Sequence, residues 1–181
     1  MTHIPYLELE RLVEFFYCMD YNYDMSEAAE EKTEPRPSLL QFHARMFALG
    51  DQYDISALRD VAVKKYSTRC VVSWDPAEFL TSIHDVYAGS AASVRSLRDA
   101  ACTLMRKNLP KMLDDKGVAA IYEEVVSEIP DFTKDMLGLY VKGPLYGDCG
   151  TCGSEQVFDA LQVRCRKCGK GSSGFSAGCK W

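Results

Sequence analysis

The chain has 181 residues, 47% hydrophobic and 26% charged, with a formal net charge of −5. That is enough for one ordinary core plus a small appendage, in the composition of a globular protein rather than a disordered or fibrous one. The charge excludes recruitment of nucleic acid or anionic membrane by bulk electrostatics, and no window reaches the roughly 18 uninterrupted apolar residues of a membrane helix.

The opening stretch MTHIPYLELERLVEFF carries Glu8, Glu10 and Arg11 inside its apolar run and has no small-residue cleavage site, so it does not read as a signal peptide. The expectation is an intracellular protein, of cytoplasm or nucleus, whose eight cysteines are thiols or metal ligands rather than disulfides. Leu9, Leu12, Val13 and Phe16 predict a first amphipathic helix that runs out near Asp20. From Asp24 to Ser38 the composition turns to DMSEAAEEKTEPRPS, too polar to bury, which predicts a flexible surface loop. A protein-docking acidic tail is the alternative.

The stretch Leu39 to Tyr66 predicts a helix hairpin. Leu39, Phe42, His43, Met46 and Phe47 recur at helical spacing, and Ile55, Leu58, Val61, Ala62 and Tyr66 do so after a break at Gly50-Asp51, with Asp54 or Ser56 placed to cap the second helix. Next, Trp74-Asp75-Pro76-Ala77-Glu78-Phe79 signals a helix start. Asp75 caps, Pro76 takes the first position, Glu78 returns a bond to the cap and Trp74 staples onto Phe79. That helix buries Phe79, Leu80, Ile83, Val86 and Tyr87. Ser93 opens another, with Val94, Leu97, Ala101, Leu104 and Met105 on one face and a stop at Pro110. Val118, Ile121, Tyr122, Val125 and Val126 predict the next, stopped by Pro130; Phe132, Met136, Leu139 and Tyr140 predict the last, ending near Gly143-Pro144. Faces this wide must pack on one another, and no alternating strand pattern occurs from Tyr6 to Val141, so that part is expected to be all-α.

FFYCMDYNYD, an acidic insert, HARMFALGDQYDISALRDVAVKKY, WDPAEFLTSIHDVY, SVRSLRDAA and IPDF together resemble the C-terminal half of fungal BTB/POZ proteins and the helical region that follows. In that family a tyrosine-rich turn precedes a helix pair of the form H-x-x-x-(Y/F)-A-L-A-D-K-Y-D-I-x-x-L. His43, Phe47, Ala48, Leu49, Asp51, Tyr53, Asp54, Ile55 and Leu58 match it, while Gly50 and Gln52 depart. The resemblance implies a truncated BTB-like segment over residues 1–70, including the acidic loop 24–38, and a BACK-like helical region over 71–142. The strand-rich segment and helix pair that open a BTB domain, which supply its dimer interface and much of its cullin contact, are on this resemblance missing, with Met1 starting after the place they would occupy. The chain is then a truncated gene model or a degenerate paralogue; a homo-oligomer stays open, and cullin binding is not carried over.

Residues 143–181 form the third part. Asp148-Cys149-Gly150-Thr151-Cys152-Gly153 is followed, with twelve residues between Cys152 and Cys165, by Cys165-Arg166-Lys167-Cys168-Gly169. Each C-x2-C turn aims two sulfurs at one centre, and the following glycine tolerates a left-handed backbone that lets amides bond thiolate. Cys149, Cys152, Cys165 and Cys168 are therefore expected to hold one structural zinc ion in a zinc ribbon, with the spacer SEQVFDALQVR forming two short strands that turn at Asp159-Ala160. Iron suits four thiolates too; a redox dithiol lacks its strand-to-helix context, and a RING-type site needs about twice the ligands. Cys179 reads as a spare thiol in a flexible tail, and Cys18, Cys70 and Cys102 as core or surface thiols.

A four-cysteine site is coordinatively closed, with no place for an activated water, and no phosphate loop or dinucleotide fingerprint is present. His43 reads as a buried histidine satisfied by a backbone group, with His84 beside a helix and His3 terminal. The chain is thus expected to be a non-enzymatic, BTB-type protein-interaction scaffold or adaptor, mainly α, with a small zinc-ribbon β-hairpin. The alternative is a nucleic-acid-associated transcriptional regulator binding through the ribbon. There Arg164, Arg166, Lys167, Lys170 and Lys180 outnumber Asp148, Glu155 and Asp159, with Phe175 and Trp181 available to stack a base.

Overall fold

In the computed structural model, which describes residues 4–23, 36–89, 94–142, 145–158 and 167–168, the helical periodicities become α1 (Tyr6–Cys18), α2 (Leu39–Gln52), α3 (Ser56–Val72), α4 (Pro76–Ala88), α5 (Ser96–Met112), α6 (Lys116–Glu128) and α7 (Pro130–Lys142). An antiparallel pair of strands, β1 (Leu145–Cys149) and β2 (Gly153–Phe158), follows. Among the described residues before β1 there is no strand, so the chain is mainly helical, and none of its helices is long and apolar enough to cross a membrane. The acidic segment from Asp24 to Pro35 lies outside the described residues.

The hairpin of α2 and α3 is the centre of the packing, with α4 laid on α2, α6 and α5 on α4, and α7 on α5. One cluster of buried side chains runs from Phe15 and Tyr21 through Phe42, Phe47, Leu58, Tyr66 and Phe79 to Leu97, Met105 and Phe132. Each such side chain contributes about 1.5–3 kcal/mol on burial. The cluster is continuous across residue 70, and α3 passes through it to Val72. Tyr66 brings a hydroxyl into this core, and the cost is met by a relay: Tyr66 donates to Ser82 Oγ at 2.7 Å, and Ser82 donates to the Phe79 carbonyl at 2.7 Å.

Several starts and stops follow other chemistry than the sequence suggests. Ser38, read as the end of the loop, is the N-cap of α2: its Oγ accepts from Gln41 N–H, and the Gln41 side chain accepts from Ser38 N–H. Helix α2 does not stop at Gly50 but continues to Gln52. Gly50 serves a close approach instead, since a Cβ there would lie 2.9 Å from Arg59 Cγ and 3.1 Å from Arg59 N. Neither Asp54 nor Ser56 caps α3. Its N-cap is Ile55, with no side-chain bond, because Asp54 occupies the left-handed turn at φ 52° and its carboxylate pairs with Arg59 at 3.3 Å.

Asp75 caps α4 as expected, accepting from Ala77 and Glu78 N–H, and Trp74 packs on Phe79 with ring centroids 5.0 Å apart. Glu78 does not return to the cap. Its carboxylate accepts from Leu40 N–H in the first turn of α2 and from Arg69 near the end of α3, so it joins three helices at once. Helix α5 begins at Ser96 without a side-chain cap and runs two residues past Pro110; so close to a helix end, the ring forfeits one hydrogen bond without ending the turn. Pro130 both follows α6 and opens α7, where its missing N–H costs nothing.

The face of α1 also differs. Glu8, Leu12 and Phe15 are the buried residues, while Leu9, Val13 and Phe16 are 44%, 48% and 59% exposed. The inner stripe holds a carboxylate beside Leu12 and Phe15, so apolar periodicity alone favours the outer one. The choice comes from Arg45 on α2, which bonds Glu8 at 3.4 Å and Asp85 on α4 at 2.9 Å and so draws the Glu8 side inward.

Candidate functional site

The cysteine motif begins at the strand pair. Cys149 is the last residue of β1, Cys152 sits in the turn and Gly153 opens β2 at φ +93°, a conformation that side-chain-bearing residues rarely adopt. The hairpin expected over 154–164 is differently placed: β2 covers its first strand, but β2 pairs with the upstream β1, Leu145 opposite Phe158 and Cys149 opposite Gly153, so the first C-x2-C is itself the turn. Asp159, Ala160 and Cys165 lie outside the described residues, as do Cys179 and His3. Cys152 and Cys168 are each half-buried in turns. Among the described residues no group of three or more His, Cys, Asp or Glu is placed to hold a metal ion. The local backbone of the first turn, with its left-handed glycine directly after Cys152, fits a thiolate-ligating knuckle.

The remaining thiols are those of a structural role. Cys70 and Cys102 are buried. Burial pushes the Cys70 thiol up to about 12, and burial likewise raises that of Cys102, which lies 3.4 Å from the Tyr87 hydroxyl. Neither supplies a thiolate near neutral pH. Cys18 is exposed at the end of α1.

A groove that the sequence did not announce opens between α3 and the turn after α1. Met19 ends α1 in the left-handed region at φ 55°, and Asp20 then accepts from Tyr21 N–H at 2.8 Å. The turned chain sends Tyr21 inward to His43 on α2, with its hydroxyl 3.0 Å from Nδ1. His43 is therefore satisfied by a side chain, not by the backbone group expected for it. Tyr23 stacks on Phe42 at 4.1 Å between centroids and donates to the Pro37 carbonyl, which pins the far end of the turn. Val61, Lys64, Lys65, Thr68, Arg69 and Val72 fall on one face of α3 and form the opposite wall of a cavity of about 660 Å³.

Charge gathers on that wall. Lys65 pairs with Asp20 at 2.9 Å and lies over the Tyr21 ring, while Arg69 pairs with Glu78 at 2.8 Å. Burial, with repulsion from Lys65 and Arg69 added, lowers the pKa of His43 to about 4, so its ring is neutral near pH 7. Burial also raises that of Tyr21, helped by the Asp20 charge, and keeps its hydroxyl protonated. Asp20 is itself partly desolvated, yet hydrogen bonds from Lys65 and Tyr21 N–H and the charges of Lys65 and Lys64 hold it below the usual carboxylate range. The site presents hydroxyls, a neutral imidazole and cations beside the Asp20 carboxylate.

A second, smaller cavity of about 300 Å³ lies at the Glu8–Arg45–Asp85 bridge. His84 is half-exposed, 3.5 Å from Glu128. No protein-family model, no curated protein and no solved structure matches the chain.

Proposed function

We propose that the chain is a non-enzymatic protein-interaction scaffold, a BTB-derived helical body joined to a C-terminal hairpin that one zinc ion organises through Cys149, Cys152, Cys165 and Cys168. The observation that carries the scaffold half is the outer stripe of α1. Tyr6, Leu9, Val13 and Phe16 are spaced three, four and three residues apart and all stand exposed on a helix whose other face is already packed. Such a 3-4-3 seam is the pattern on which a second helix seats its own apolar side chains. The partner this suits is a protein that offers an apolar helix face. The resemblance of the sequence to BTB/POZ proteins supports the same reading, and the left-handed Gly153 supports the metal half.

Affinity purification with the full chain tests it. A reproducible partner should be recovered by the wild type, lost with Leu9→Asp/Phe16→Asp and kept with Cys152→Ser. Recovery of no reproducible partner, or of partners lost only when the cysteine hairpin is broken, overturns the scaffold.

A further inference from the structure

We infer that the groove between α3 and the turn at residues 19–23 receives an acidic peptide segment of a protein partner. This deepens the scaffold reading, on which it rests, by assigning the chemistry of what one face would hold.

Complementarity of charge is the first ground. The chain as a whole carries −5, yet Lys64, Lys65 and Arg69 project from one face of α3 into a cavity with Asp20 as its acidic lining residue. Lys65 is matched by Asp20 and Arg69 by Glu78, and among the described residues Lys64 has no carboxylate in an ion pair with it. An acidic guest is thus attracted here although the chain as a whole carries the same sign of charge, and such local attraction sets position and register more than bulk affinity.

The second ground is the mixed lining. Leu39, Val61 and Val72 give the groove apolar walls beside its cations. A bare anion makes no use of such walls, and a nucleic-acid strand needs a track of cations spaced along its phosphates. A peptide with carboxylates next to an apolar side chain uses both. About 660 Å³ is within the range of roughly 300–1,000 Å³ seen for sites that enclose small ligands.

The third ground is rigidity. The Tyr21–His43 bond, the Asp20–Lys65 pair and the Tyr23–Phe42 stack hold the turn against α2 and α3 before any guest arrives. A wall already ordered lowers the entropic cost of binding. His43, only 7% exposed, places a polar ring in the lining.

The test is selection of random dodecapeptides displayed on phage against the full chain, followed by affinity measurement on the selected peptides as synthetic compounds. Enriched sequences should join Asp or Glu to an apolar residue. Their binding should weaken as salt rises, and fall by about tenfold or more with Lys64→Glu and with Val61→Asp, a loss equivalent to about 1.4 kcal/mol. Far-UV circular dichroism of both variants, matching the wild type, shows that the fold is kept. Failure to enrich any sequence, enrichment of basic or wholly apolar peptides, or binding indifferent to Lys64→Glu overturns the proposal. So does a single-stranded oligonucleotide that displaces the peptide at equal concentration, which would give the groove to nucleic acid. Leu9→Asp/Phe16→Asp should leave peptide binding intact. A partner lost with that α1 variant, together with no acidic selection, would leave the scaffold standing and sink only the groove; acidic selection without any recovered partner would do the reverse.

Discussion

Over residues 6–142 the helices bury Phe42, Phe47, Phe79 and Phe132 completely, whereas over 145–158 two strands of five and six residues meet around a four-residue C-x2-C turn. The helical part carries its own apolar core, continuous from α1 to α7. An isolated pair of strands is marginal in water, because the surface it buries does not offset the entropy of ordering it. The contrast teaches where each part would draw its stability on the zinc proposal: the body from packing, the hairpin from the metal. Perturbations that act on one part should therefore leave the other unmoved.

The largest expected effect concerns the proposed zinc. A structural zinc site supplies about 10–16 kcal/mol of apparent binding free energy near neutral pH, and without it the hairpin should lose its order. Metal analysis of the purified chain should find about one zinc per chain. Cys152→Ser or Cys165→Ser should abolish it while far-UV helicity persists, and Cys179→Ser should leave it in place. If chelation melts the helices, the contrast between the two parts fails.

Next in size is a cavity in the body. Phe79 is wholly buried between Trp74 and Tyr66, and Phe79→Ala should cost about 3–5 kcal/mol in chemical denaturation. The zinc content of that variant should not change. Loss of metal on this substitution would mean that the hairpin leans on the core after all.

Acid should act on the body through His43. Its folded pKa, about 4, lies below imidazole's usual 6.5, so the unfolded chain takes up the proton first as pH falls. The stabilisation is whole above about pH 6.5 and is lost progressively toward pH 4, amounting to about 2 kcal/mol by pH 5. Denaturation at pH 7 and pH 5 should show this loss, and His43→Gln should remove most of the difference between the two. An unchanged slope in His43→Gln would place the acid sensitivity elsewhere.

The smallest effect belongs to the start of α2. Ser38→Ala removes the acceptor for Gln41 N–H and should cost about 1 kcal/mol, whereas Ser38→Asp, which keeps an acceptor there, should cost less. Thermal melts of the two variants side by side would check the order.

Much of the body was legible in the amino-acid sequence. The apolar spacing of Phe42, Met46 and Phe47, of Leu58, Ala62 and Tyr66 and of Leu97, Ala101 and Met105 marks the residues that are buried, because a helix brings every third or fourth side chain to one face whatever surrounds it. The Asp75-Pro76 start was legible for the same reason: the cap is satisfied within three residues. The Ser38-x-x-Gln41 box was equally local and was hidden only by the polar composition before it.

What lay beyond sequence reasoning depends on partners far along the chain. Glu78 leaves its own cap for Leu40 and Arg69, Tyr21 reaches His43 across 22 positions, and Glu8 turns inward to an arginine 37 positions away. Each is a polar group whose bond is decided by which helix lies beside it, and no local period encodes that. The groove exists for the same reason: Lys64, Lys65 and Arg69 read as an ordinary solvated helix face until the left-handed turn at Met19 brings Asp20 and Tyr21 opposite them. Sequence alone determined the helices and, α1 apart, their buried stripes, since these follow from spacing. Tertiary structure decided which stripe of α1 faces inward, where the carboxylates of Glu8 and Glu78 are satisfied and that a basic groove opens beside His43, since desolvation and charge pairing act only between groups that folding has brought together.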